Sequence, residues 1–275
     1  MKKYFLLAVG LAAMFNLGSC SSDDDDNGTS GGHGKKFLAE ITVREYKWKF
    51  GDRSDYGEIY ESYKYDSNGN LTEYENNSGI ANYTYKYIYD DKNRITEKNE
   101  YRLYSLNYKY KYQYNEIDSV SVMYQYNEKG SLTETHYYEY DNLRRLEKET
   151  RIVNYISNGY GNVDSYSYDG NVVTIIGTNY EDGKLRYTKV LEYDSHKNLT
   201  KSTYTSTDDG KPSVTEYEYE YDSNGRISKS TTPYYLIYKK YKEYTYNEDG
   251  TINKIHLSYS DNNEQSDLIY TYTWK

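Results

Sequence analysis

Along most of the chain the side chains alternate with a period of two. Tyr83, Tyr85, Tyr87 and Tyr89 share one parity, and Tyr108, Tyr110, Tyr112 and Tyr114 repeat it against Lys109, Lys111 and Gln113. Tyr217, Tyr219 and Tyr221 do the same against Glu216, Glu218 and Glu220. That period belongs to half-buried strands, and it predicts hairpins with one tyrosine face and one charged face. The punctuation between strands is as regular. A tyrosine is followed by Asp or Asn, four turn-like residues and an aliphatic residue at Tyr65-Asp66…Leu71, Tyr89-Asp90…Ile95, Tyr114-Asn115…Val120, Tyr126-Asn127…Leu132, Tyr140-Asp141…Leu146, Tyr193-Asp194…Leu199, Tyr221-Asp222…Ile227 and Tyr246-Asn247…Ile252. A spacing of six kept in all these copies marks an array of one small unit.

The spacing reads as a hairpin connection. If Tyr65 lies opposite Leu71, then Asp66 faces Asn70 and the loop is Ser67-Asn68-Gly69, a type I turn followed by one left-handed residue. Glycine is therefore expected four places after the tyrosine, and it stands there as Gly69, Gly130, Gly225 and Gly250, with Asn93 as the best substitute in a fifth copy. Asp118, Arg144 and Lys197 take that place elsewhere, so those turns are expected to be strained or differently shaped. Asp or Asn after the tyrosine suits the first turn position, where its side chain accepts backbone N–H groups. Steps between copies of 24 or 25, 12 to 14 or about 28 residues, with degenerate units near Tyr168 and Tyr180, predict roughly 18 to 20 strands joined by tight turns.

Composition complicates the picture. Leu, Ile, Val and Phe together make only 46 of 275 residues, and the mean hydropathy is −1.08, values that approach those of disordered chains. Disordered chains lack aromatics, however, and this one has 42 tyrosines placed with strand periodicity. Tyrosine is expected to fill the place of leucine, its ring packed and its hydroxyl wet.

The first residues carry an address. Met1-Lys2-Lys3 is basic, residues 4–17 are apolar, and the run is too short to span a bilayer but suits a secretory signal. It ends in Leu17-Gly18-Ser19-Cys20, which resembles the bacterial lipobox. That resemblance implies cleavage after residue 19 and acylation of Cys20, the chain's one cysteine, leaving neither a disulfide nor a thiol nucleophile. Ser21, Ser22, Asp23, Asp24, Asp25 and Asp26 follow, similar to the acidic tag that sends lipoproteins of the Bacteroidetes to the outer face of the outer membrane. A solvated acidic tether is the plainer reading of the same run. Losing Lys2 and Lys3 takes the net charge from −9 to −11, so nucleic acid is not an expected partner. Residues 27–34 read as a flexible linker, and the repeat domain spans 37–275.

Candidate chemistry is thin. Asp23, Asp25, Asn27 and Gly28 match the first half of a calcium-binding EF-hand loop, but its twelfth position is Gly34 and no helical pattern flanks it. His33, His136, His196 and His256 lie far apart and are expected in exposed strands or turns, so no metal site and no cofactor are anticipated. No nucleophile elbow, phosphate loop or zinc-protease motif occurs, and carboxylates are too frequent for any pair to signal a glycosidase. No catalytic residue is assigned. Tyrosine rows such as Tyr108, Tyr110 and Tyr112 can stack on sugar rings or simply pack the sheet.

The units Tyr65-Asp66-Ser67-Asn68-Gly69-Asn70-Leu71 and Tyr221-Asp222-Ser223-Asn224-Gly225-Arg226-Ile227 resemble the YD repeats of Rhs-type proteins. In that family the repeats wind into shells around toxins or serve as surface and adhesive stalks. The resemblance covers residues 63–254, but the chain is short, its steps are irregular and no toxin or core-cleavage segment is recognisable. A closer resemblance is to Bacteroidetes lipoproteins with such repeats, described as porin-like in fold. Lipid-facing strands need a Leu/Val-rich belt that is missing here, so "porin-like" implies shape, with the acyl chains on Cys20 as the membrane contact.

These readings converge on one all-β domain, a long antiparallel meander of tandem hairpins curling into a barrel or open roll. The expected function is a non-catalytic, surface-exposed, outer-membrane-anchored binding or adhesion module for a glycan or other extracellular polymer. The alternative is a structural scaffold that binds a protein partner through a sheet edge or face.

Overall fold

The structure, a computed structural model, describes residues 37–49, 52–53, 57–77, 82–155, 160–234, 238–260 and 264–275. The signal segment, the lipobox, the acidic tag, the linker and His33 lie outside the described residues. The regular elements are strands throughout: β1 (Leu38–Lys49), β2 (Asp52–Arg53), β3 (Glu58–Tyr65), β4 (Leu71–Asn76), β5 (Tyr83–Tyr89), β6 (Ile95–Arg102) and β7 (Ser105–Tyr114). There follow β8 (Val120–Asn127), β9 (Leu132–Tyr140), β10 (Leu146–Val153), β11 (Gly161–Asp169), β12 (Val172–Asn179), β13 (Leu185–Tyr193) and β14 (Leu199–Ser206). The last are β15 (Pro212–Glu216), β16 (Glu218–Tyr221), β17 (Ile227–Tyr234), β18 (Tyr238–Tyr246), β19 (Ile252–Tyr259) and β20 (Gln265–Trp274).

From β3 to β15 and from β16 to β20, each strand pairs antiparallel with the next. β1 joins the two ends of this meander, pairing with β20 on one side and β3 on the other, while β2 folds back on the tip of β1. Phe37 and Lys275 complete that joint by exchanging backbone hydrogen bonds at 2.9 and 3.0 Å. The result is a nearly closed barrel of 19 strands, with β15 and β16 counted together, and one unsealed seam.

Up-and-down order sends successive turns to opposite ends. The repeat turns after Tyr65, Tyr89, Tyr114, Tyr140, Tyr193, Tyr221 and Tyr246 fall at one end, together with Phe37 and Lys275. We call this the proximal end. Only the copy after Tyr126 lies at the distal end, which explains its short steps. At every copy the tyrosine faces the aliphatic residue six places on, as in Tyr65 opposite Leu71 and Tyr246 opposite Ile252. In seven copies the Asp or Asn Oδ1 accepts backbone N–H groups two and four places on, for example Asn68 and Asn70 at Asp66, both at 2.9 Å. In the copy at Asn247 the neighbouring Asp249 takes over, accepting from Thr251 at 2.9 Å.

The fourth turn position is left-handed throughout, with φ of 79° at Gly69 and Gly130, 74° at Gly225, 85° at Gly250 and 59° at Asn93. Asp118, Arg144 and Lys197 adopt the same shape, at 59°, 61° and 69°. Those three turns are therefore strained but not reshaped, because the Asp/Asn cap and the flanking ladders dictate the backbone.

Between hairpins the repeat tyrosine is the connector. The hydroxyls of Tyr89, Tyr114, Tyr140, Tyr168, Tyr246 and Tyr272 donate to the carbonyls of Leu71, Ile95, Val120, Leu146, Ile227 and Ile252, each at 2.7 or 2.8 Å. These hydroxyls are thus not wet, as expected above, but satisfy bulged carbonyls of the preceding hairpin. Where arginine precedes the aliphatic residue it clamps its own turn and the next. Arg94, Arg145 and Arg226 bind Asp90, Asp141 and Asp222 through Nε and Nη2, and their guanidinium groups lie 4.5, 4.3 and 4.3 Å from the ring centroids of Tyr114, Tyr168 and Tyr246.

The inward face is the tyrosine face, sealed on the β18–β20–β1–β3 wall by Ile41, Val43, Ile255, Leu257 and Leu268. It is not purely aromatic, however. Lys98, Glu100, Glu134, His136, Glu149, Arg151, Lys240 and Lys242 share its parity. Outward, ion pairs such as Lys64–Glu73–Lys86 and Lys109–Glu97 ladder across the strands. Charged ladders of this kind differ from the Leu/Val-rich belt of lipid-facing strands.

The seam has a chemical cause. β15 and β16 are separated by Tyr217 alone, whose N–H donates to Thr200 O of β14 at 2.8 Å. By alternation, the backbone groups of Val214, Glu216 and Glu218 point the other way, toward β17. Glu218 pairs with Thr231, and the next pair would be Glu216 with Pro233. Lys239, opposite Pro233 on β18, spends both backbone groups on Ser260, so position 233 faces the seam. Proline has no N–H to give, and the ladder stops there.

Candidate functional site: the distal tyrosine rim

Most inward tyrosines are half-buried and structural. Tyr108, Tyr110 and Tyr112 lie on β7 among them, with the Tyr110 hydroxyl donating to Glu100 at 3.2 Å and its pKa pushed up by burial. The row does not form an outer platform. Exposed tyrosines gather elsewhere. Tyr104, Tyr155, Tyr160, Tyr180, Tyr204 and Tyr238 all stand at the distal end, and Tyr137 alone among the exposed described tyrosines does not.

Local sequence places these rings at the rim. Leu103 and Tyr104 form a two-residue turn between β6 and β7 with φ of 48° and 68°. Asn-Gly is the pair that such a turn normally demands, yet here both side chains are large and exposed, Tyr104 at 87%. Two left-handed residues here hold large side chains in water at a cost in strain. Across the β10–β11 connection, Val153 N–H donates to Tyr160 O at 2.8 Å, and Tyr180 N–H donates to Gly161 O at 3.2 Å, so Tyr160 and the backbone of Tyr180 are held side by side. Arg186 lies over the Tyr160 ring, 5.7 Å from its centroid, and donates to its hydroxyl at 3.4 Å. Further in, the Tyr187 ring covers Gly177, where a Cβ would approach to 2.2 Å, and meets Tyr204 at 5.3 Å between centroids. Glycine here is required by the close approach of the ring.

Beneath the rim sits a cluster of titratable side chains. His136 bridges Glu149 Oε1 at 2.8 Å and Glu134 Oε2 at 3.2 Å, and Arg151 Nε donates to Glu134 Oε2 at 2.9 Å. Hydrogen bonds from His136 and Arg151 hold the Glu134 carboxyl at about 2, against the desolvation that burial imposes. Burial opposes charge on His136, but its two carboxylate partners raise its pKa. His136 and His256 are therefore not the exposed histidines expected from the sequence but half-buried and hydrogen-bonded to carboxylates, His256 to Asp267 at 2.8 Å. His196 is exposed in its turn, as expected, and stacks on Tyr221 at 3.9 Å. Among the described residues no group of three His, Cys, Asp or Glu side chains is arranged to hold a metal ion.

Two clefts lie away from these rings. One of about 390 Å3 lies between Phe37, Glu40, Lys64 and Asp66, and one of about 210 Å3 between Gly170, Asn171, Tyr193 and Lys197, both at the proximal end.

No family model and no curated protein matches the chain. Among solved structures, it is similar to a porin-like protein from Bacteroides uniformis, at 12% identity over 86% of this chain and 98% of that one, with a TM-score of 0.45. A porin-like protein from Bacteroides vulgatus matches at 11% identity over 87% and 99%, with a TM-score of 0.35. The Photorhabdus luminescens Tc holotoxin pore matches at 12% identity over 79% of this chain but 14% of its own, with a TM-score of 0.38. At such identities and scores these likenesses assign no activity.

Proposed function

We propose that the protein is an outer-membrane-anchored, surface-exposed lipoprotein that binds a glycan or other extracellular polymer without catalysis, using its distal tyrosine rim. The observation that carries this reading is the polarity of exposure. The chain enters the barrel at the proximal end through Phe37, and the exposed described tyrosines other than Tyr137 lie at the opposite end. A tether from Cys20 would then present Tyr104, Tyr160 and Tyr180 away from the membrane. Exposed rings with hydroxyls stack on sugar faces and hydrogen-bond their edges at low entropic cost.

Two measurements test the two halves of the proposal. Cys20→Ala should release the mature chain into the soluble fraction, because acyl chains supply the membrane affinity; a mutant that stays membrane-bound after a salt wash refutes anchoring. On a glycan array the wild type should bind, and Tyr104→Ser/Tyr160→Ser/Tyr180→Ser should lose at least tenfold in affinity with an unchanged circular dichroism spectrum. Undiminished binding by that triple variant, or no glycan bound by the wild type, refutes the rim as a sugar platform.

A further inference from the structure

The seam carries a second interaction surface, independent of the rim. β15 is paired on the β14 side only, no ladder joins it to β17, and the N–H and C=O groups of Val214 and Glu216 point into the gap. On the far wall the Pro233 carbonyl points into the same gap. Four of the five β15 residues, Pro212, Ser213, Val214 and Glu216, are exposed, and Val214 is 51% accessible. Edges of this kind are normally blunted by lysine, a bulge or a covering loop. β15 has only the proline at its start.

At the proximal end the gap between β15 and β17 is closed by the β16–β17 ladder, and side chains join β16 to the β13–β14 turn on its other side. The Tyr221 hydroxyl, which in register with its counterparts would donate to a backbone carbonyl, donates instead to Asp194, and Asn198 Nδ2 donates to it at 2.7 Å. The opening between β15 and β17 is therefore a wedge, shut at the Glu218–Thr231 pair and open toward the distal turns.

We propose that this wedge is a strand-addition site, in which an extended peptide bearing basic side chains pairs antiparallel with Val214 and Glu216. The charge of the occupant follows from the outer face of the wall. Glu216, Glu218 and Glu220 line up along it, exposed, and only Glu218 has an ion-pair partner among the described residues, Lys239 at 3.1 Å. Alternate side chains of an added strand would lie beside Val214 and Glu216, with Glu218 at the closed end of the wedge, while the others would lie beside the inward Ser213 and Thr215. Main-chain bonds would supply affinity and the carboxylates the choice of sequence.

The probe is a seven-residue acetylated and amidated peptide alternating threonine and lysine, with a threonine–glutamate version as control, added to the full chain and followed by amide hydrogen exchange. The lysine peptide should slow exchange at Val214 and Glu216 at least tenfold, leave Ser213 and Thr215 unchanged, and do so equally in Tyr160→Ser. The glutamate peptide should have no effect. Val214→Pro, which removes a seam-facing N–H, should weaken binding at least tenfold, and Glu216→Lys should shift the preference toward the glutamate peptide if the proline variant does not fold. Unchanged exchange at millimolar lysine peptide overturns the proposal. So does a dimer that Val214→Pro dissolves, since a second copy would then occupy the edge.

Discussion

His136 is held between two carboxylates on an inward wall with a side chain only 12% exposed, so its charge is a term in stability. Its folded pKa is raised above the ordinary 6.5, which means that the fold binds the proton more tightly than the open chain does. That contribution is fully present below 6.5 and is lost as pH rises through the raised value. Glu134 works in the opposite sense. Its pKa, lowered from 4.5 to about 2, contributes above 4.5 and is lost as pH falls through about 2. The thermal midpoint should therefore decline on the alkaline side of 6.5, and His136→Gln, which cannot be protonated, should remove that slope. An identical pH profile for the variant would show that the cluster is not coupled to folding. Nothing in the sequence marked these residues, because Glu134, His136, Glu149 and Arg151 meet only through the β9–β10 register.

At the scale of one hairpin, most of the design was legible. A six-residue spacing with Asp or Asn in second place is a local signal, and it specified the left-handed fourth residue and the opposed Tyr and aliphatic pair without any tertiary information. The tyrosine connectors were not legible. Their hydroxyls reach residues 18 to 22 positions back, a distance set by strand length that varies from copy to copy. A residue pattern was also missed: Thr72, Thr96, Ser121, Thr133 and Thr200 follow the aliphatic residue and donate to the carbonyl eight places back, capping the bulge. The turn that breaks the rules is Leu103-Tyr104. Replacing it by Leu103→Asn/Tyr104→Gly, the pair suited to two left-handed residues, should raise stability by about 1–2 kcal/mol in a denaturant melt. The same variant should bind the array glycan more weakly. Equal or lower stability would mean that the turn is not strained, and unaltered binding would remove Tyr104 from the rim site.

For the whole molecule, the meander and the strand number could be read from alternation and spacing, whereas closure could not. The choice between barrel and open roll depends on β1 reaching both β20 and β3, pairings more than 200 residues apart on one side. The seam, by contrast, had a visible signature. The chain has only two prolines, and Pro212 and Pro233 stand on its two walls. Restoring a donor at the facing position tests whether proline alone keeps the barrel open. Pro233→Val supplies an N–H directed at Glu216 and a β-branched side chain suited to a strand, so β15 can zip onto β17 for about two further hydrogen bonds, each contributing about 0.5–1.5 kcal/mol. The variant should melt higher than the wild type, and the Val214 and Glu216 amides should become protected without any peptide. It should also lose the lysine peptide, because the edge that the peptide needs is occupied. Unprotected Val214 and Glu216 amides in Pro233→Val would show that barrel curvature at Tyr217, and not the missing donor, holds the seam apart.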